Sequence, residues 1–400
     1  MKILLAHNFY KNPGGEDQCV AAETGLLTSH GHDVMHYFVS NEATDGLRRA
    51  DLALRTLWSF PAYRQIRTLI RDRRPDVVHF HNTFPLISPG ALHAVKAESI
   101  PVVQTLHNYR LLCANALLFR DGKPCEDCLG RIPWRAVGPR CYRGSRSATT
   151  AVVAMLSVHR LIGTWRSAVD AYIAPSEFAR QKFIQGGLPA DQIAVKPNFA
   201  YPDPGAGNGC GGYAVYVGRL SFEKGIDTIL AAWKLLGGTV PLKIAGDGPQ
   251  ASAVMNACSR DSAIEWLRDV PHEHVYDLIG GAAVLILPSE CYEGALPRVV
   301  IEAFAKATPV IAADLGAMTG TVGHGNGLRF LAGDPADLAS KVRFVFSKPD
   351  RLRQMRRGAR ETFETSFSAE SNYEMLTSIY ARAIDSCRSR ARASLGLETA

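Results

Sequence analysis

Apolar and polar positions follow two different periods along the chain, and the switches between them mark the elements. Lys2–Ala6 is a short apolar run that ends in a glycine-containing loop, Asn8–Asp17. Ala21–Ser29 has helical character and stops at His30-Gly31-His32. Val34–Val39 reads as a strand and Pro61–Arg73 as a helix rich in arginine. Asp76–Phe80 reads as a buried strand, Gly90–Ala97 as a helix and Pro101–Leu106 as a further strand. The second half repeats the pattern. Tyr213–Val217, Pro241–Ala245, Ala283–Pro288 and Pro309–Ala313 read as strands, and Ile226–Leu236 and Arg298–Lys306 as helices.

Strands that alternate with helices predict an α/β chain with a parallel, doubly wound sheet in each half. Pro197, Pro202, Pro204 and five glycines crowd Lys196–Gly212, which places the boundary there. The expected domains are residues 1–198 and 199–370. Residues 371–400 hold a helix, about Ser371–Arg390, that is expected to cross back to the first domain. Two Rossmann-like halves imply a cleft between them, because strand C-termini in such sheets face the ligand crevice.

The composition, 46% hydrophobic and 21% charged with no low-complexity tract, excludes disordered and fibrous classes. Its length of 400 residues suits two cores rather than one. No run reaches the roughly 18–20 apolar residues of a membrane span, and the first apolar stretch is too short for a signal-peptide core. A cytoplasmic protein is expected. Its charge is uneven: residues 1–200 hold 24 basic and 16 acidic side chains, residues 201–400 hold 21 and 22. A basic first half points to an anionic partner, or is simply a solvated face. No nucleic-acid motif is present and aromatics are not interleaved with the basic residues, so no nucleic acid is expected. An anionic membrane surface fits better, with the protein peripheral on the inner face of the plasma membrane. Thr149–Gly163 adds an apolar stretch flanked by Arg143, Arg146, Arg160 and Arg166, which reads as a buried helix or as a membrane-surface helix.

Two segments carry chemistry. Gly218-Arg219-Leu220-Ser221-Phe222-Glu223-Lys224-Gly225 follows the first strand of the second half. Gly218 allows close backbone approach, and the planar fork of Arg219 with the point charge of Lys224 suits a diphosphate. The bland alternative pairs both cations with Glu223 or Asp227. Farther on, Glu293 stands in a loop and Glu302 in the early turns of a helix. Both could accept hydrogen bonds from sugar or ribose hydroxyls, although a carboxylate near a helix N-terminus is also favoured by the dipole alone.

These segments, with Ala245-Gly246-Asp247-Gly248-Pro249 and Thr308-Pro309-Val310-Ile311, occur in an order that resembles the family 4 glycosyltransferases of the GT-B fold. The first half joins in through Gly14-Gly15-Glu16, Asp76-Val77-Val78-His79, Thr105-Leu106-His107-Asn108 and Pro175-Ser176-Glu177. The resemblance spans about residues 1–370. It implies a retaining hexosyltransferase that takes a UDP- or GDP-linked sugar and a glycan or lipid-linked acceptor, in surface or exopolysaccharide synthesis. Arg219 and Lys224 match the pair on the donor diphosphate, Glu302 the glutamate on the ribose, and Glu293 the one facing the donor sugar. Gly14 and Gly15 fall on the loop that approaches the donor phosphates and the acceptor, and His107 matches a histidine near the transferred sugar. No cofactor is expected for catalysis, the basic pair standing in for a metal at the leaving group.

The chain also departs from the family. Eight residues separate Glu293 from Glu302 where the family has seven, and the extra one is expected to loop out around Ala295-Leu296-Pro297. Ala307 replaces a common glycine, and Gly316–Gly320 lacks an acid often found there. A non-catalytic nucleotide-sugar-binding protein, or a GT-B epimerase or hydrolase, is the alternative this motivates.

Cys113, Cys125, Cys128 and Cys141 lie in the basic, loop-like stretch Arg110–Arg146. Cys125-x-x-Cys128 has the gap of a zinc knuckle, so a structural zinc held by all four is one reading, reduced thiols a second and a redox or iron–sulfur role a third. His79 and His81 share one face of their strand, as a metal pair or as histidines satisfied by neighbours.

Overall fold

The computed structural model describes residues 1–394 apart from Pro13 and Ala295. The chain forms two units. The first comprises Met1–Leu117, Glu126–Pro197 and the chain from Asn372; the second comprises Leu118–Cys125 and Asn198–Ser371.

In the first unit β1 (Lys2–Phe9) is followed by α1 (Gly15–Ser29), β2 (Asp33–Ser40), β3 (Val77–Phe80) and β4 (Val102–Thr105). Then come α2 (Arg146–Leu161), β5 (Ala171–Ala174) and β6 (Ile193–Val195). All six strands are parallel, in the order β2-β1-β3-β4-β5-β6. β3, β4 and β5 are buried along their whole length, as expected of parallel strands covered on both faces. α1 starts six residues before the helix read from the sequence. Gly14 caps it, and the Asp17 carboxylate accepts the Gly14 N–H at 2.8 Å, which satisfies a backbone donor the pattern had assigned to a loop.

The second unit runs β7 (Ala214–Val217), α3 (Ile226–Leu236), β8 (Leu242–Ala245), β9 (Ile264–Arg268) and β10 (Val284–Leu287). It continues with α4 (Arg298–Ala305), β11 (Val310–Ala313) and β12 (Gly327–Phe330). Its parallel order, β9-β8-β7-β10-β11-β12, is that of a dinucleotide-binding sheet. Trp233 is fully buried at its centre and donates from Nε1 to the Val240 carbonyl at 2.8 Å. Such a partner removes the cost of burying the indole N–H.

The last helix, α5 (Ala369–Ser394), crosses the unit boundary near its start. Leu376, Ile379, Tyr380 and Ala383 lie on one helical face and are fully buried against Ile3, Leu5, Val77, Val103 and Ile173. Each large apolar side chain so buried contributes roughly 1.5–3 kcal/mol, which explains why the C-terminal segment folds onto the first sheet. Among the described residues no helix is long and apolar enough to cross a membrane.

Candidate active site

In both sheets the strand order reverses once, and the loops at the carboxyl ends of the strands beside that reversal hold the polar residues. In the second unit the reversal lies between β7 and β10. The loop after β7 stacks on the loop after β8 through backbone alone. Gly218 N–H donates to Ala245 O at 3.0 Å, and Leu220 N–H to Asp247 O at 2.9 Å. Gly246 has φ +130°, and a Cβ there would stand 2.0 Å from Gly218 O, so only glycine permits this approach.

Gly225 performs the same service one turn later. Its φ is +71°, and a Cβ would meet Pro288 O at 2.0 Å. This closeness brings Lys224 to the loop after β10. Its Nζ lies 2.6 Å and 2.8 Å from the two carboxylate oxygens of Glu293, and Ser289 Oγ donates to Glu293 Oε1 at 2.7 Å. Burial pulls the Lys224 ammonium down, but the adjoining Glu293 carboxylate outweighs it and holds the group above its ordinary value. The pairing of Lys224 with Glu223 or Asp227 does not form; Glu223 instead accepts from Ser221 Oγ at 2.7 Å. Arg219 is exposed at the mouth of the same loop.

Glu293 therefore reaches Lys224 despite the longer spacing to Glu302. Ala295, where the extra residue is expected to loop out, lies outside the described residues. Glu302 is buried in α4, and Arg298, one turn earlier, holds its Oε1 at 3.4 Å through Nη2. Arg298 Nε is buried with no hydrogen-bond partner among the described residues. This arginine was missed in the sequence, where only its i,i+4 relation to Glu302 could have marked it.

The first unit gathers a second set at the ends of β1, β3 and β4. His7 Nε2 and Asp17 Oδ1 are 2.7 Å apart, His79 bonds Thr105 Oγ1 and Tyr380 OH at 2.8 Å each, and His81 Nδ1 lies 2.9 Å from His107 Nε2. Beneath them Glu23, fully buried, accepts from Lys196 Nζ at 2.7 Å. Asn372 Oδ1 accepts from the same ammonium at 3.0 Å. Despite burial, the Lys196 ammonium holds the Glu23 carboxyl below its ordinary range. Burial pushes His79, His81 and His107 below theirs, so these imidazoles are neutral near pH 7. Gly14 and Gly15 sit at the start of α1 beside this set, and Glu16 accepts from Asn108 Nδ2 at 2.7 Å. Ser176 of Pro175-Ser176-Glu177 is a helix cap, its Oγ accepting from Ala179 N–H at 3.1 Å.

Among the described residues one set of three His, Cys, Asp or Glu side chains brings its ligand atoms within 4.8 Å of one another: Glu23, His79 and His81. It does not suit a metal. The Lys196 ammonium occupies one side of Glu23, and both His79 nitrogens are already hydrogen-bonded. Cys113, Cys128 and Cys141 share the first unit but form no such set, and Cys113 Sγ faces Asn115 Oδ1 at 3.0 Å. Cys125 belongs to the second unit. Cys113, Cys128 and Cys141 lie in turns, and Cys125 follows a short hairpin.

Solved structures share this architecture. Sucrose-phosphate synthase from Thermosynechococcus elongatus matches with a TM-score of 0.71 at 17% identity, over 95% of this chain and 98% of that one. Anabaena Alr3699/HepE, solved in complex with UDP, matches with a TM-score of 0.65 at 16% identity, over 95% and 100%. Two parallel-sheet units of this kind define the GT-B glycosyltransferase fold. The sequence pattern described as Glycosyltransferase Family 4 covers residues 14–203, and the one described as Glycosyl transferases group 1 covers residues 208–362. The chain belongs to the family 4 glycosyltransferases and is a glycosyltransferase enzyme. Among relatives, the glycogen synthase of Mycobacterium tuberculosis is 27% identical over 78% of this chain and 69% of its own. The putative teichuronic acid biosynthesis glycosyltransferase TuaC of Bacillus subtilis is 28% identical over 63% and 57%.

Proposed function

We propose that the enzyme moves a hexosyl unit from a UDP- or GDP-linked sugar to a hydroxyl of a glycan or lipid-linked acceptor, with retention, in surface or exopolysaccharide synthesis. The observation that carries this reading is the Lys224–Glu293 contact at the strand reversal of the second unit. It sets a cation and a carboxylate side by side on two tightly seated loops. A diphosphate arriving there takes over the Lys224 charge, with Arg219 as its second cation, and frees Glu293 to face the sugar. The pair stabilises the charge that grows on the leaving diphosphate, the role a metal plays elsewhere. In this reading Glu302 accepts from ribose hydroxyls, the Gly14-Gly15 turn serves the donor phosphates and the acceptor, and His107 serves the transferred sugar. The UDP complex of Alr3699/HepE and its UDP-glucose complex support a nucleotide-sugar donor. Incubation with UDP- and GDP-hexoses and a panel of hydroxyl acceptors, followed by NMR of the product anomer, tests the reading. An axial donor linkage is expected to reappear in a glycoside. Donor consumption that needs no acceptor and yields no glycoside would instead identify a hydrolase or epimerase.

The same reading includes a peripheral seat on an anionic membrane surface. The C-terminal end of α2 leaves Leu161 78% exposed and Ile162 49% exposed, and the turn packed on that helix leaves Trp134 53% exposed. Arg131, Arg135 and Arg166 are exposed beside them in the chain. Apolar side chains with basic neighbours suit a charged interface, each cation adding about 1 kcal/mol near anionic lipid. Flotation with phosphatidylglycerol vesicles is expected to carry the protein up, and phosphatidylcholine vesicles are not. Leu161→Asp with Arg135→Glu should abolish the difference. Equal behaviour on both lipids would remove the membrane from the proposal.

A further inference from the structure

The histidine cluster of the first unit contains a chain of contacts that the donor chemistry does not itself require. His107 Nε2 lies 2.9 Å from His81 Nδ1. The other nitrogen of His81, Nε2, is 3.5 Å from Glu23 Oε2. Those two atoms are buried, and neither has a hydrogen-bond partner among the described residues. Glu23 Oε1 is held by Lys196 at 2.7 Å, and Lys196 in turn by Asn372 at 3.0 Å. Glu23 and His81 are 0% and 2% exposed.

We infer that Glu23, acting through His81, is a positioning residue that fixes the tautomer of His107, so that His107 presents an unprotonated Nδ1 to the sugar. A neutral imidazole carries one proton, and the hydrogen bond on one nitrogen decides which. If the His81 proton sat on Nδ1, the Nε2 lone pair would face a buried carboxylate with no water to separate them. Repulsion in that low-dielectric setting disfavours the arrangement. The proton therefore sits on His81 Nε2, directed at Glu23. His81 Nδ1 must then accept, and His107 Nε2 must donate. That leaves His107 Nδ1, which has no partner among the described residues, as a hydrogen-bond acceptor. Lys196 is what keeps Glu23 an anion so deep in the fold. His7, Glu16 and Lys196 also act on His107 electrostatically, but no hydrogen bond joins them to either of its nitrogens.

The logic is that of a carboxylate orienting an imidazole in a hydrolase triad, here with a second imidazole between. Glu23→Gln makes a sharp contrast. The amide oxygen faces Lys196 and the amide N–H₂ faces His81, so His81 Nε2 becomes the acceptor. His81 then donates from Nδ1, and the His107 proton relocates from Nε2 to Nδ1. No charge is gained or lost; each ring exchanges its proton with water and takes the other tautomer.

The inference rests on His107 serving the transferred sugar, and the experiment separates the two claims. Long-range ¹H–¹⁵N spectra of histidine-labelled protein report which nitrogen of His107 is protonated. Nε2 is expected in the native enzyme and Nδ1 in Glu23→Gln, with kcat lower by up to about 10⁴-fold, the loss a wrong tautomer causes in a hydrolase triad, and KM little changed. His81→Asn, which leaves the Glu23–Lys196 pair intact, should lower kcat similarly and stands in if Glu23→Gln does not fold. The same His107 tautomer in native and Glu23→Gln proteins would overturn the relay. A tautomer that inverts while turnover holds would overturn the role of His107 instead, and His107→Ala with native turnover would confirm that second failure.

Discussion

Lys224→Ala is expected to weaken binding of a UDP- or GDP-sugar by roughly 1.5–3 kcal/mol, the worth of a charged hydrogen bond, or about 10–150-fold in Kd. Two effects act in the same direction. The ammonium that meets the diphosphate is gone, and Glu293, which now shares it at 2.6 Å and 2.8 Å, is left as an uncompensated carboxylate beside the phosphate path. The upper end of the range is therefore expected. Glu293→Gln separates these effects: it keeps the cation, removes the competing anion, and should bind the donor at least as well as native enzyme. The pH behaviour follows from the direction of the Lys224 shift. Its value is raised above the ordinary lysine range by Glu293, against the pull of burial. The charged form is thus complete throughout neutral pH and is lost only as pH rises through the raised value. Calorimetric titration between pH 6 and 9 should show no decline attributable to this group. Native-like affinity in Lys224→Ala would place the donor elsewhere.

What could be read from the sequence depended on how local the cause was. The strands before Gly218 and Gly246 were legible because short apolar runs end in glycine, and those glycines are required where one loop's backbone touches the next. The Ile226–Leu236 helix was legible to the residue, since its apolar positions recur at helical spacing and glycine stands at each end. Among the edge strands β2 was legible, but three others were not. β6 is three residues long and β9 and β12 hold exposed polar positions, so no run distinguishes them from loop. Arg219, Lys224, Glu293 and Glu302 are singled out by an ordered set of motifs, but the Lys224–Glu293 contact joins positions 69 apart and no spacing announces it. The Glu23–Lys196 pair is hidden more deeply. Its partners are 173 positions apart, Glu23 sits mid-helix and Lys196 follows an edge strand, so each alone looks like a solvated charge.

That hidden pair carries the largest expected effect on stability. Lys196 is 2% exposed and Glu23 0%, so Lys196→Ala leaves a buried carboxylate without its cation. Breaking a buried ion pair from one side costs about 3–5 kcal/mol. Replacing both members, as in Glu23→Leu with Lys196→Met, should cost much less, because no charge is then stranded. Two units need not unfold together, so the measurement is hydrogen exchange of the amides of β1, α1 and α5 rather than a single melting curve. The pH dependence has a definite sign. Glu23 is held below its ordinary value, so its contribution is present above the unfolded value of about 4.3 and is lost as pH falls through the folded one. His79, His81 and His107 are also lowered. Unfolded histidines bind protons below about pH 6.5 while these do not, so the first unit loses stability from that point downward in acid. In Lys196→Ala the carboxyl has lost the leading influence that lowers it and takes up its proton at a higher pH. The deficit against native protein should therefore be widest near pH 7 to 8 and narrow towards pH 4. A deficit below 1 kcal/mol, or one that does not change with pH, would mean that water already solvates Glu23 and that the pair is not the keystone of this unit.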